Sequence, residues 1–206
     1  MIELYAKFLD FLINLLNPLT YHIDKAIFFA VVIAIVLALI PKIDFFADKL
    51  SKFFMIISGI SLILLTLLVS YDVIMRKLFS GGSIALQELE WHLYDIVFLF
   101  GIAYTLSKDK HVRVDIFYDK FPFRLKKSIN LIALIFFVIP LSTLIIIEAI
   151  PFVQMSLSQN ESSPNPGGLP YRWIIKSAMI WAFFAVFVQA IGEIRKNTYM
   201  LLKGEK

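Results

Sequence analysis

The sequence predicts an all-α, polytopic membrane protein, and three observations carry that prediction. The first is composition: of 206 residues, 59% are apolar and 17% charged, with a mean hydropathy of +0.79. Soluble domains run nearer about 45–50% apolar and about 25% charged. The second is a series of five long apolar runs, and the third is the gathering of Lys and Arg in alternate connections between them. So apolar a chain is not a disordered one. The absence of Cys excludes a disulfide-stapled secreted domain and a thiolate metal site.

The polar members of residues 1–19 are Glu3, Lys7, Asp10, Asn14 and Asn17. At about 100° per residue these fall within an arc of roughly 80°. The pattern predicts an amphipathic helix lying in the bilayer interface; a narrow polar stripe facing a partner inside the membrane is the other reading. Ala26–Ile40 is an uninterrupted apolar run ended by Pro41. A crossing helix needs about 20 residues, so residues 21–25 extend the run, with Lys25 snorkelling to the headgroups. This predicts a span over about 22–41. Phe53–Val69, Leu89–Leu106, Ile129–Val153 and Trp173–Ile191 follow as further runs. They place spans at about 50–72, 89–107, 129–153 and 172–192. Pro140, Glu148 and Pro151 interrupt the fourth run. No run resembles a cleaved signal peptide, since the start carries Glu3, one early Lys and no small-residue cleavage site.

The basic residues orient these spans. Ser107–Ser128 holds seven Lys and Arg, the tail from Glu193 holds four, and Pro41–Lys52 holds three. Leu157–Tyr171 holds none, and Asp72–Glu88 only Arg76 and Lys77. The three basic segments alternate along the chain, so all can be cytoplasmic together, with the C-terminus. Five spans then put the N-terminus in the periplasm; a crossing by residues 1–19 would return it to the cytoplasm. The net charge of +4 and pI near 9.2 are accordingly an orientation signal, and no nucleic-acid partner is expected.

Ionisable groups near a span are candidate functional residues. Glu88, His92 and Asp95 stand at i, i+4 and i+7, on one helix face, with Glu90 on another. Two carboxylates around an imidazole suit a divalent metal or a proton relay. They equally suit the start of a helix whose dipole favours acids, with Trp91 and Tyr94 as interface anchors and the face as a subunit contact. His22 and His111 belong near opposite membrane faces, so the three histidines cannot converge. Asp72 and Arg76 form an i,i+4 pair, Ser83 is a candidate N-cap, and Glu148 is expected to reach water near the outer headgroups. Ser162–Trp173, SSPNPGGLPYRW, is a stiff outer loop with three prolines and the Gly167–Gly168 pair; it is either a docking surface or a connector. No nucleophile elbow, phosphate loop or HExxH is present, so neither catalysis nor a cofactor is expected.

The runs YDVIMRKLF, LQELEWHLYDIVFLFGIAYTLSKDKHVRVDIFYDKFP and SPNPGGLPYRWIIK together resemble the small membrane subunit of tripartite ATP-independent periplasmic (TRAP) transporters, the DctQ-like family. Arg76 matches the basic residue closing that family's first helix, Glu88 the acidic residue before its second, Gly101 and Ala103 its small residues. His111, Arg113 and Asp115 of HVRVD match its cytoplasmic signature. The resemblance covers roughly residues 50–195. It implies a four-helix core over 49–206, to which residues 1–48 add an extra span and the interfacial helix. It also implies a non-catalytic role in a bacterial inner membrane, scaffolding a large twelve-helix, elevator-type subunit that carries the substrate and sodium sites. A periplasmic substrate-binding protein would deliver a small carboxylate or sulfonate, and membrane lipids would cover the remaining surface. Expected partner contacts are Arg76, Glu88, Glu90, Trp91, His92, Asp95, Asn165, Gly167, Gly168, Leu169 and Arg172. The competing readings are a stand-alone carrier or channel, with Asp72, Glu88, His92, Asp95 and Glu148 lining one path, and a membrane metalloenzyme using Glu88, His92 and Asp95.

Overall fold

The computed structural model describes residues 2–20, 23–79, 81–108 and 121–203, with the backbone alone for 15–20. Among these residues every regular element is helical. Helices α1 (Ile2–Thr20), α2 (Ile23–Ala38), α3 (Ile43–Phe79) and α4 (Ile84–Ser107) are followed by α5 (Phe123–Ala133), a π segment (Leu134–Val138), α6 (Ile139–Ser158) and α7 (Trp173–Lys203). His111, Arg113 and Asp115, like His22, lie outside the described residues.

Three helical stretches are long and apolar enough to cross a membrane: Ile43–Phe79, Phe123–Ser158 and Trp173–Lys203. The protein is thus a polytopic, all-α membrane protein. Helix α4 has 24 residues, but Glu88, Glu90, His92 and Asp95 dilute its first half. Helix α2, at 16 residues, falls short of the about 20 that a perpendicular crossing takes.

The expected interruption at Pro140 takes a specific form. Pro140 has no N–H, and its ring would press on the carbonyl four residues back. The helix relieves this by widening into the π segment, where the Ile139 N–H donates to Leu134 O five residues earlier. Pro151 is carried within α6, so the run stays one continuous path. Ser83 does occupy the N-cap position of α4, but its side chain makes no capping hydrogen bond, so that expectation is corrected.

Helix α7 is the central strut. It packs against α2, α3, α4, α5 and α6, and small residues let these neighbours approach: Ala178, Ala182, Ala185, Ala190 and Gly192 are all buried. A Cβ on Gly192 would lie 2.8 Å from the Ala47 Cβ and 3.3 Å from the Asp44 Cα. Phe54, Ala103, Ala185 and Val186 form the core where α3, α4 and α7 meet. Small residues also dock α2, where Ala26, Ala34 and Ala38 are buried at multiples of four. Ala34 and Ala38 share a cluster with Leu134, Ile139, Ala190, Ile191 and Ile194.

The end of the bundle carrying Lys42 and Arg195 (the basic end) holds a polar network. Gln189, fully buried, accepts from the Ser51 hydroxyl at 2.6 Å and donates to Asp48 and Glu193, each at 3.0 Å. Lys196 bridges Asp48 and Glu193, both at 2.8 Å. Arg195 donates to the carbonyls of Ala38 and Leu39 at 3.3 Å and pairs with Asp44 at 3.5 Å. A cation there satisfies terminal carbonyls of α2 and opposes the negative end of its dipole. Arg195→Ala is expected to weaken that end by about 1 kcal/mol. Amide exchange should rise over residues 34–40 while α6 and α7 stay protected; unchanged exchange there would contradict the capping role.

Helix α1 has three faces. Tyr5, Leu9, Leu12 and Ile13 pack on α6 and α7 around Ile150, Val153, Leu157 and Trp173. Leu4, Phe8 and Phe11 are exposed, and Glu3, Lys7, Asp10 and Asn14 form an exposed polar stripe between. Asp10 accepts from the Gln154 amide at 2.5 Å. Leu9 packs beside Val153 and Ala38 in the cluster of Leu134. From Leu9 to Ala38 one straight helix would rise about 44 Å, whereas Leu134 to Val153 rises about 29 Å. Helices α1 and α2 therefore do not share one axis.

Candidate partner-binding site at the loop end

The connection from α6 to α7, residues 159–172, is built by its own backbone. The Glu161 N–H donates to Ser156 O at 3.0 Å, and the Arg172 N–H returns to Glu161 O at 3.0 Å. Between them the Ser163 N–H donates to Leu169 O and the Gly168 N–H to Asn165 O, each at 3.0 Å. Gly167 turns this inner loop at φ +78°, a conformation that side chains resist.

Glu88, from the first turns of α4, fastens the loop. It is 6% exposed. Its Oε1 accepts from the Ser163 hydroxyl and from Asn165 Nδ2 at 3.1 Å, and its Oε2 from the Leu169 N–H at 2.8 Å. Gly168 must lack a side chain: a Cβ there would overlap Ser163 and stand 2.8 Å from Glu88 Oε2. Hydrogen bonds from Ser163 and the Leu169 backbone, then Asn165, with Arg172 nearby, hold the Glu88 carboxyl down to about 2. A depressed carboxyl pKa contributes stability that is present above the unfolded value and is lost as pH falls through the folded one. The latch is therefore expected to persist at pH 5 and to open only near pH 2. Amide exchange at Leu169, corrected for intrinsic rates, checks this; loss of protection near pH 4.5 would contradict it.

A second clamp flanks the first. Lys176 pairs with Glu161, whose carboxyl this contact holds below its usual range, and Lys176 lies 4.1 Å from the Phe152 ring centroid. Across the end, Asp72 is 1% exposed and pairs with Arg76, as the i,i+4 spacing predicts.

Of the expected contact residues, the fold brings Glu88, Asn165, Gly167, Gly168 and Leu169 into the latch. Their polar groups are directed at one another, and Asn165 and Gly167 keep an exposed side. Arg172 and His92 are half-buried beside it, and His92 feels the charges of Asp95, Arg172 and Glu88. Glu90 is half-buried, with Oε1 enclosed and unpartnered. Trp91, at 68% exposure, Tyr94 and Asp95 face outward. Missing from the sequence reading were Ser163 as the hydroxyl of the latch and Gln189 at the centre of the basic-end network. The glycine pair beside SSPN was the available signal for the first; nothing flagged the second. Among the described residues no three His, Asp or Glu converge to hold a metal ion.

A multi-pass helical protein with a fastened loop at one end and a self-paired polar network at the other has the build of a membrane-complex subunit. The profile of the family described as "Tripartite ATP-independent periplasmic transporters, DctQ component" matches residues 65–198. That is 134 of 206 residues (198 − 65 + 1), and the chain belongs to this family, whose members are non-catalytic transport subunits. No curated protein matches the chain. The family match begins within α3 and leaves α1 and α2 outside it.

Proposed function

We propose that this chain is the small membrane subunit of a sodium-coupled importer of a small organic carboxylate or sulfonate in a bacterial inner membrane. It scaffolds a large twelve-helix, elevator-type subunit and offers its loop end to a periplasmic substrate-binding protein. In this reading α3, α4, the α5–α6 stretch and α7 are the four-helix core. Helix α2 is an additional, short span, met by local thinning of the bilayer and by snorkelling of Lys25, α1 lies at the outer interface, and the C-terminus is cytoplasmic. The three faces of α1, one packed, one apolar and one polar, suit a helix at the boundary of protein, lipid and water. Residues 1–48 then widen the scaffold on the α6–α7 side.

The observation that carries the proposal is the Glu88 latch, which holds residues 163–169 in one shape. A connector needs no such fixing, whereas a docking surface gains affinity from pre-organisation. The carrier or channel reading is disfavoured, because Glu88 is bound within the latch and the basic-end network is occupied by its own members. Affinity purification from gently solubilised membranes tests the proposal. A co-purifying chain of about twelve spans is expected; a chain that purifies alone under conditions that preserve membrane complexes would contradict it. Deleting residues 1–48 should weaken the complex, and full uptake without them would count against the widened scaffold.

A further inference from the structure

The outward face of α4 carries one carboxylate, Asp95, that makes no ion pair among the described residues. Trp91, Tyr94, Asp95 and Phe98 fall within an arc of about 100°. All four are exposed, the aromatic three at 68%, 60% and 62%. Asp95 stands seven residues after Glu88, about 10 Å further along the helix and rotated by only about 20°. The face therefore continues beneath the latched loop, and in the proposed topology, with a span at about 89–107, Asp95 falls in the second turn of that span.

Among the described residues Asp95 makes no salt bridge and no hydrogen bond. Of the cations at this end, Arg76 pairs with Asp72 and Lys176 with Glu161, Arg172 and His92 lie on the latch side, and Lys77 is exposed at the end of α3. An exposed carboxylate at membrane depth is costly unless a cation or water meets it. The three aromatic side chains around it are the kind that anchor protein interfaces and accept cations over their faces.

We infer that the Trp91–Tyr94–Asp95–Phe98 face of α4 seats a transmembrane helix of the large subunit whose Lys or Arg pairs with Asp95. The inference rests on the proposed function and names the contact it requires. A lipid headgroup is the weaker occupant: Asp95 lies a full turn beyond Trp91, and Phe98 closes the deeper side of the site. A Lys or Arg stem laid across Tyr94 and Phe98 brings its charge to the carboxylate from within the layer.

The test uses the full complex in native membranes. A photoreactive phenylalanine at Phe98 or Trp91 should cross-link to the large subunit, whereas controls at the exposed Phe136 and Phe137 should not. Asp95→Lys should lower recovery of the large subunit at least about tenfold, as breaking a desolvated charge pair does, and Asp95→Asn should lower it less. A Lys→Asp or Arg→Asp change on the cross-linked helix should restore recovery to Asp95→Lys. Because Asp95 makes no hydrogen bond or ion pair among the described residues, the helicity and thermal stability of the isolated subunit should be unchanged, which separates misfolding from lost contact. Cross-links from the α4 face to lipid alone, with the large subunit still recovered, would overturn the inference and leave the proposed function standing. Failure to recover any large subunit with the unaltered chain would instead overturn the proposed function.

Discussion

Glu88→Ala is expected to open the outer loop and to remove most binding-protein-dependent uptake while the membrane complex still assembles. The variant deletes the acceptor for the Ser163 hydroxyl, the Asn165 amide and the Leu169 N–H at once. The Ser163 hydroxyl and the Leu169 N–H are left in half-buried places where an unmade hydrogen bond is expensive. Amide exchange at Ser163, Gly168 and Leu169 should accelerate by at least about tenfold, the local signature of a loop that no longer closes. Glu88→Gln should be milder, since the amide keeps one acceptor and offers a donor where two donors already converge. Gly168→Ala approaches the same site from the other side, and its methyl group has no room beside Ser163 and Glu88. It should reproduce the loop opening with the carboxylate intact. Normal exchange and normal uptake in Glu88→Ala would reduce the latch to a decoration of a connector.

The second large effect is expected at the opposite end. Gly192→Val places a branched side chain where a Cβ alone would be 2.8 Å from the Ala47 Cβ and 3.3 Å from the Asp44 backbone. Neither neighbour can swing aside, because one is a methyl on the backbone and the other is backbone. Helices α3 and α7 must separate, and overpacking of this kind costs about 1–3 kcal/mol. Separation also pulls Ser51 and Asp48 away from Gln189, whose amide then stays buried with fewer partners. Lower thermal stability in detergent and poorer membrane yield are the expected readouts. Gly59 is the control: a Cβ there meets nothing within 4 Å, so Gly59→Ala should be neutral or slightly stabilising. Equal stability of the two variants would remove the close approach of α3 and α7 from the account.

What was legible in the sequence is what repeats locally. The long apolar runs marked α3, the α5–α6 stretch and α7, and the i,i+4 spacing foretold the Asp72–Arg76 pair. The polar stripe of α1 was visible from its period. Helix periodicity also put Glu88, His92 and Asp95 on one face, but it could not divide their labour. Glu88 meets partners 75 to 81 residues away, whereas Asp95 meets none among the described residues, and only the return of the loop over α4 separates the two. Gln189 was illegible for the same reason. In an apolar run one amide reads as an incidental residue until Ser51 and Asp48, 138 and 141 positions earlier, are brought against it. Pro140 was visible as an interruption of a single run, but that the helix would absorb it by a widened turn was not.

The central claim is that this chain holds and presents a transport complex without itself forming a path. Reconstitution into sodium-loaded and sodium-free liposomes tests this most directly, with the chain alone or joined by the large subunit and binding protein. The account predicts sodium-gradient-driven uptake only when all three components are present, and none above empty liposomes for this chain by itself. Substrate uptake or ion conduction by the isolated chain, abolished by changing Asp72, Asp95 or Glu148, would contradict it.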